Sequence, residues 1–207
     1  HSDQCTSNNC HNRTCKKPVN CSGTWSQCAG VCYDRKRTYT KTRNAANGGS
    51  GPSLLDSDEQ RWDEIIDTNL KSVYLCCHAV APTMIERGSG NILNISSIAS
   101  LRASEGARIY GIAKAGMNFL TRGLAVDLAP HNIRVNCIAP GAVQTDMLAA
   151  DVGDTPESWE ELGKFIPLGR VGQPIDIAAT ALFLVSDASN YVTSQLITID
   201  AGLTEKM

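Results

Sequence analysis

The stretch that decides the fold runs from Asn91 to Lys114, NILNISSIASLRASEGARIYGIAK. It opens on Asn91-Ile92-Leu93-Asn94-Ile95-Ser96, a short apolar run set between Gly88-Ser89-Gly90 and Ser97, which reads as a buried strand. Its far end enters an Ala/Gly-rich helix predicted from about Ala107 to Leu128 and stopped by Pro130. Upstream, Trp62, Ile65, Ile66, Leu70, Val73, Tyr74, Cys77, Val80 and Ala81 recur at three and four residues, the period of one long amphipathic helix. Ser57 or Asp58 can cap its start, and Gly88 ends it. Downstream, Ile133-Arg134-Val135-Asn136-Cys137-Ile138 reads as a second strand, and a helix over Ile175–Val185, started by Pro174, leads to a third strand at Leu196–Asp200. Strands separated by helices argue for the α/β class, a parallel sheet with helices on its faces.

Ligands of such sheets bind beyond the carboxyl ends of the strands. Ser96-Ser97, Pro140-Gly141 and Asp200-Ala201-Gly202 fall at those ends. Tyr110 and Lys114 stand four apart on one helix face, which brings an ammonium near a phenol and favours phenolate over a group that ordinarily titrates at about 10. A tyrosine so activated can act as general acid or base. By themselves the pair reads more simply as two solvated helix residues. Ser97, thirteen residues earlier at a strand end, and the small Gly111, Ala113, Ala115 and Gly116 tip the reading towards a site.

Asn94-Ile95-Ser96-Ser97, Tyr110-x-x-x-Lys114, Asn136-Cys137-Ile138-Ala139-Pro140-Gly141 and Asp200-Ala201-Gly202, in this order and spacing, resemble the short-chain dehydrogenase/reductase family, 3-oxoacyl-acyl-carrier-protein reductases in particular. The resemblance implies the C-terminal part of a doubly wound, Rossmann-like sheet. It implies hydride transfer between NAD or NADP and a small carbonyl or alcohol substrate. Tyr110 would exchange the proton, Lys114 would hold the nicotinamide ribose and depress the tyrosine, Ser97 would bond the substrate oxygen, and Asn69 would complete the tetrad by holding a water. Pro140, Gly141, Val143 and Thr145 would form the loop under the nicotinamide, with the Val143 backbone and the Thr145 hydroxyl on the carboxamide and phosphate. The irregular apolar residues of 146–170 (Met147, Leu148, Trp159, Leu162, Phe165, Ile166) read as a lid over the substrate or, alternatively, as core. Helices 57–87 and 107–130 would pair with a second subunit, giving a homo-oligomer.

The family's opening Thr-Gly-x-x-x-Gly-x-Gly turn, which carries the pyrophosphate on a helix N-terminus, is not in this sequence. Arg43-Asn44-Ala45-Ala46 only echoes its Asn-Asn-Ala-Gly strand end, and Gly48-Gly49-Ser50-Gly51 reads as a linker. The expected sheet therefore lacks its first strands and leaves an open edge at 91–96. Weak dinucleotide binding follows, and NAD cannot be told from NADP. A reductase inactive in this form is one expectation; a secreted binding or adhesion module, or a mis-joined gene product carrying an inert reductase remnant, is the alternative.

Composition divides the chain at about residue 51. Residues 1–51 hold eight Lys/Arg against two Asp/Glu, and residues 52–207 hold eleven against nineteen, within a net charge of −2. Six of nine cysteines fall in the first 32 residues, where Leu and Ile are absent, so that segment requires disulfides, a metal or no fold. Zinc is the weaker reading, because paired CxxC ligands are missing and His11 is a lone imidazole, and no metal site is expected. Cys21 to Pro52 resembles a thrombospondin type-1-like repeat in its Trp-Ser-x-Cys-x-x-x-Cys core, which implies Trp25 stacked on Arg35 or Arg37. Asn12-Arg13-Thr14 and Asn20-Cys21-Ser22 fit glycosylation acceptors. Two pieces are expected, 1–51 as a Cys-rich irregular segment and 52–207 as a partial reductase domain. The chain begins at His1, which reads as a fragment or processed chain. No apolar run reaches the roughly eighteen residues of a membrane span, and neither a membrane nor a nucleic-acid partner is expected. Cys76, Cys77 and Cys137 sit in apolar patterns as reduced, buried residues would, which favours the cytoplasm over a secreted location.

Overall fold

The computed structural model describes residues 54–103 and 107–206. The Cys-rich segment, with its repeat resemblance, Trp25 stacking and glycosylation triplets, lies outside the described residues.

Helix α1, Glu59–Ile66, starts at Asp58, whose Oδ1 accepts from the Arg61 amide at 2.8 Å. The long helix expected over 57–87 is not continuous. A wide π-helical turn, Asp67–Lys71, separates α1 from α2, Ser72–Arg87. Periodicity alone does not show this turn, because Ile66, Leu70, Val73 and Cys77 keep three- and four-residue spacing through it. Gly88, at φ 67°, closes α2 in the left-handed conformation that favours glycine.

Strand β1, Gly90–Ile95, pairs in parallel with β2, Ile133–Pro140, which pairs in parallel with β3, Leu196–Ile199. Among the described residues the order β1-β2-β3 leaves β1 at one edge. Between β1 and β2 runs α3, Arg108–Leu128; between β2 and β3 come α4, Asp146–Val152, α5, Pro156–Gly163, and α6, Pro174–Val185. A last short helix, α7, spans Leu203–Lys206.

Strand β2 is the buried centre. Its residues from Val135 to Ala139 are inaccessible to solvent, as a parallel strand covered on both faces must be. On one face Cys77 of α2 and Ala125 and Leu128 of α3 close over Ile92, Ile133 and Val135. Each fully buried aliphatic side chain of this kind contributes roughly 1.5–3 kcal/mol. The polar Asn136, equally buried, is satisfied at both ends: Nδ2 donates to Val192 O at 2.8 Å and Oδ1 accepts from the Gln195 amide at 3.0 Å. Cys77 and Cys137 are buried free thiols, but Cys76 is exposed, because it lies one helical step off the core-facing stripe that Cys77 occupies.

Arg134 ties α6 to the sheet. Its Nη1 donates to Leu184 O at 2.9 Å and Val192 O at 3.2 Å, and its Nη2 to Ser186 O at 3.0 Å. Carbonyls at a helix end lack intrahelical donors, and α6 has no basic residue in its own last turn. Arg134→Leu is expected to cost about 1.5–3 kcal/mol, and Arg134→Lys less, in urea unfolding. An unchanged midpoint for the leucine variant would show that water replaces the guanidinium.

Candidate active site

Ser97 stands two residues past the end of β1 and caps the one-turn 3-10 helix Ile98–Ser100. Its Oγ accepts from the Ala99 amide at 3.1 Å, and its carbonyl accepts from Ser100 Oγ at 2.5 Å. Tyr110 and Lys114 lie in the first two turns of α3, which packs on this 3-10 turn because Gly111 has no side chain. A Cβ there would stand 2.6 Å from Ala99 O. Residues 104–106, between Ser97 and Tyr110 in the chain, lie outside the described residues.

The three side chains expected together are together. Ser97 acts on the Tyr110 phenol as a side-chain partner that lowers it. Lys114 Nζ stands 5.4 Å from the Tyr110 ring centroid and donates to Ile95 O, the last carbonyl of β1, at 3.0 Å. The electrostatics differ from the sequence expectation. Burial raises the Tyr110 phenol above its ordinary value, and the Ser97 bond works against that rise. Burial also lowers Lys114, while the nearby Cys137 acts in the opposite sense. The ammonium sits over the ring rather than at the phenolic oxygen, so Ser97 is the group that draws the tyrosine downward.

Asn69 lies inside the π-helical turn, buried, with its side-chain amide donating to Ile65 O at 3.0 Å. The turn packs on α3, where Leu70 reaches the surface left bare by Gly116. Ile65, Ile109 and Ala113 form a small core between the two helices, with Leu70 and Tyr110 packed against it. Asn69 is therefore held beside the Tyr110 helix, in a local backbone bond.

At the end of β2, Pro140-Gly141 opens the loop to α4. Gly141 lies against Asp200 so closely that a Cβ would meet the Asp200 Cα at 2.7 Å, and its amide donates to Ile199 O at 2.9 Å. Val143 bridges Gly172, and Gln144 N donates to Gly172 O at 2.9 Å. Thr145 caps α4, its Oγ1 accepting from Leu148 N at 3.4 Å and donating to Val143 O at 3.3 Å. Ala142, Val143, Arg170, Asp176, Ile199 and Asp200 help to line a cleft of about 230 Å³ that none of Ser97, Tyr110 and Lys114 enters. Within the segment 146–170, read from the sequence as a lid or as core, α4 and α5 cover 146–152 and 156–163, with Ile166 in the core and Met147, Phe165 and Leu168 exposed.

Near that cleft, Asp176 accepts from both guanidinium nitrogens of Arg170, at 2.9 and 2.7 Å, and from the Gln173 amide at 2.7 Å. Arg170 first, and the amide next, hold its carboxyl at about 2 against an ordinary 3.8. A depressed carboxylate stabilises the fold above its unfolded value and loses that contribution as pH falls through the folded one. The pair is solvent-exposed, so its worth is small. Between about pH 4 and pH 2 the thermal midpoint of Asp176→Asn is expected to converge on that of the parent; parallel curves would show that the carboxylate's protonation does not matter.

Sequence reading overlooked Ser100, Asn118 and Thr121, buried or half-buried polar residues around the site. The available signal was Asn118, four residues past Lys114 and so on the same helix face. Among the described residues, no three His, Cys, Asp or Glu side chains are grouped to hold a metal, and no helix is long and apolar enough to cross a membrane.

The described residues form a parallel sheet with a serine beyond one strand end and a Tyr-Lys pair on the helix that follows. Residues 41–204 match the enoyl-(acyl carrier protein) reductase family. A 3-oxoacyl-(acyl-carrier-protein) reductase of Chlamydia trachomatis is 45% identical over 150 residues, covering 72% of this chain and 59% of the relative. Its counterpart in Thermotoga maritima is 42% identical over 151 residues, covering 72% and 60%. Among solved structures, a gluconate 5-dehydrogenase of Burkholderia cenocepacia in complex with NADP and tartrate superposes with a TM-score of 0.71 at 34% identity, covering 79% of this chain and 63% of that one. A 7α-hydroxysteroid dehydrogenase complexed with NADH and 7-oxo glycochenodeoxycholic acid gives 0.68 at 38% identity, covering 76% and 60%. The chain belongs to the short-chain dehydrogenase/reductase family. It spans about three fifths of the length of the curated relatives it matches.

Proposed function

We propose that residues 52–207 form the catalytic part of an oxidoreductase that interconverts a ketone and a secondary alcohol, with a 3-oxoacyl thioester as the substrate class. The observation that carries this reading is the juxtaposition of Ser97, Tyr110 and Lys114 beyond the end of β1. NAD or NADP fits the residues present at its nicotinamide end. Lys114 donates to Ile95 O and keeps further donors for the ribose; Gly141, Val143 and Thr145 offer backbone and hydroxyl groups beside the strand end. When bound, the nicotinamide supplies or accepts the hydride. Tyr110 Oη gives a proton to the developing alkoxide, Ser97 Oγ draws the phenol downward and donates to the same oxygen, and Lys114 stands over the Tyr110 ring with its ammonium available to the ribose. Asn69 holds a water that returns the proton through Lys114.

The test is a chimera in which the cofactor-binding first half of the Chlamydia trachomatis reductase precedes residues 52–207, assayed by loss of reduced-nicotinamide absorbance with an acetoacetyl thioester. Turnover abolished by Tyr110→Phe is the expected result. A chimera that binds NADPH yet turns over no ketone would overturn the reading.

The chain assembles as a homo-oligomer through α1, α2 and α3. Leu75, Phe119 and Val126, 51%, 75% and 71% exposed, are large apolar groups on two of these helices, more than solitary surface residues explain. Light scattering on 52–207 is expected to give at least a dimer at micromolar concentration, and a folded monomer would refute it.

A further inference from the structure

Two features outside the Ser-Tyr-Lys group act on the same short segment, the 3-10 turn that follows Ser97. The first is a chain of hydrogen bonds. Asn118, on α3 one turn beyond Lys114, is 9% exposed, and a primary amide so buried is costly unless both its ends are paired. Nδ2 donates to Ser100 Oγ at 2.8 Å, and Oδ1 stands 3.7 Å from the Cys137 thiol of β2, whose one proton it shares with Ile138 O at the same distance. Ser100 Oγ in turn donates to the Ser97 carbonyl at 2.5 Å. The path runs from the central strand, through α3, to the backbone of Ser97. The second feature is Gly111, next to Tyr110, which lets Ala99 of the same turn come within 2.6 Å of where a Cβ would be. One contact presses the turn onto α3 and the other fixes its height along it.

A leucine or methionine would be the ordinary choice at position 118, between Met117 and Thr121. An amide there has no packing advantage, and its geometry is spent on Ser100. Ser97 Oγ already accepts from the Ala99 amide, which aligns the hydroxyl only if the turn is held. On the reading of Ser97 and Tyr110 given above, we propose that Asn118, acting through Ser100, is a positioning residue that fixes the Ser97 hydroxyl against Tyr110. Neither Asn118 nor Ser100 touches the reacting atoms in this scheme.

The readout is the titration midpoint of the Tyr110 phenol, followed by NMR on the full chain isotope-labelled at the phenolic carbon and assigned by the signal lost in Tyr110→Phe. It requires neither cofactor nor turnover. The Ser97 bond draws the phenol down against burial, so Ser97→Ala raises the midpoint and sets the full scale of the effect. Lys114, whose ammonium faces the ring, is present in every variant. Asn118→Ala and Ser100→Ala are each expected to produce most of the Ser97→Ala rise, while Ser100→Thr, which keeps the hydroxyl, stays at the parental value. If Asn118→Ala does not fold, Ser100→Ala and its threonine counterpart decide alone. Midpoints left at the parental value by Ser100→Ala, with Ser97→Ala shifted, would overturn the positioning role and leave the catalytic pairing intact. A Ser97→Ala midpoint that does not move would overturn that pairing, and the positioning role with it.

Discussion

Tyr110→Phe is expected to lower the turnover of the chimeric reductase by at least ~10², with cofactor affinity nearly unchanged. The substitution removes one oxygen and keeps the ring, so the packing of Tyr110 on the Ile65, Ile109 and Ala113 cluster survives. Only the proton donor is lost. Lys114→Ala is expected to differ in kind, weakening both turnover and cofactor affinity, because on the proposed reading its ammonium holds the ribose while standing over the Tyr110 ring. Steady-state kinetics alongside a direct binding measurement separate the two. Near-normal turnover by the phenylalanine variant would mean that the proton comes from elsewhere.

The 207-residue chain itself is expected to bind NADH or NADPH in the millimolar range. Much of a dinucleotide's affinity comes from pyrophosphate at a glycine-rich helix start and from adenosine laid on the first strands. The sequence contains no Thr-Gly-x-x-x-Gly-x-Gly, and the described sheet begins at the strand that precedes Ser97. Losing ~4 kcal/mol of such contacts weakens binding about a thousandfold and turns a micromolar site millimolar. Calorimetric titration of the purified chain checks this directly. Micromolar affinity would show that the chain forms a phosphate cradle the sequence does not reveal.

Much of the architecture was legible because its signals are strong and local. The strand at Asn91, the helix stopped by Pro130, and the Pro174 start of α6 each rest on periodicity plus a breaker, and all three stand within a residue or two of expectation. The Ser97, Tyr110 and Lys114 grouping was legible for another reason: thirteen residues and one helical turn are separations that a strand-turn-helix unit converts into proximity. What escaped is what sequence spacing does not encode. The burial that lifts the Tyr110 phenol depends on Ile65 and Leu70, which arrive from another helix. The Asn118 to Ser97 path uses a thiol, an amide and a hydroxyl from three elements, none of them unusual in its own window. The π-helical turn was invisible because Trp62 to Ala81 keeps a broad apolar stripe across it.

That turn couples two otherwise separate regions. Each residue advances a helix by about 100°, so α1 and α2 keep their relative phase only while the extra residue between Asp67 and Lys71 is retained. Deleting one residue there would restore a regular ladder and, at the same stroke, swing Cys77 and its neighbours on α2 away from Ile92 and Val135. The chain therefore cannot relax the local irregularity that houses Asn69 without uncovering one face of its sheet. Drift at that position is policed by folding itself, whether or not the asparagine is in use.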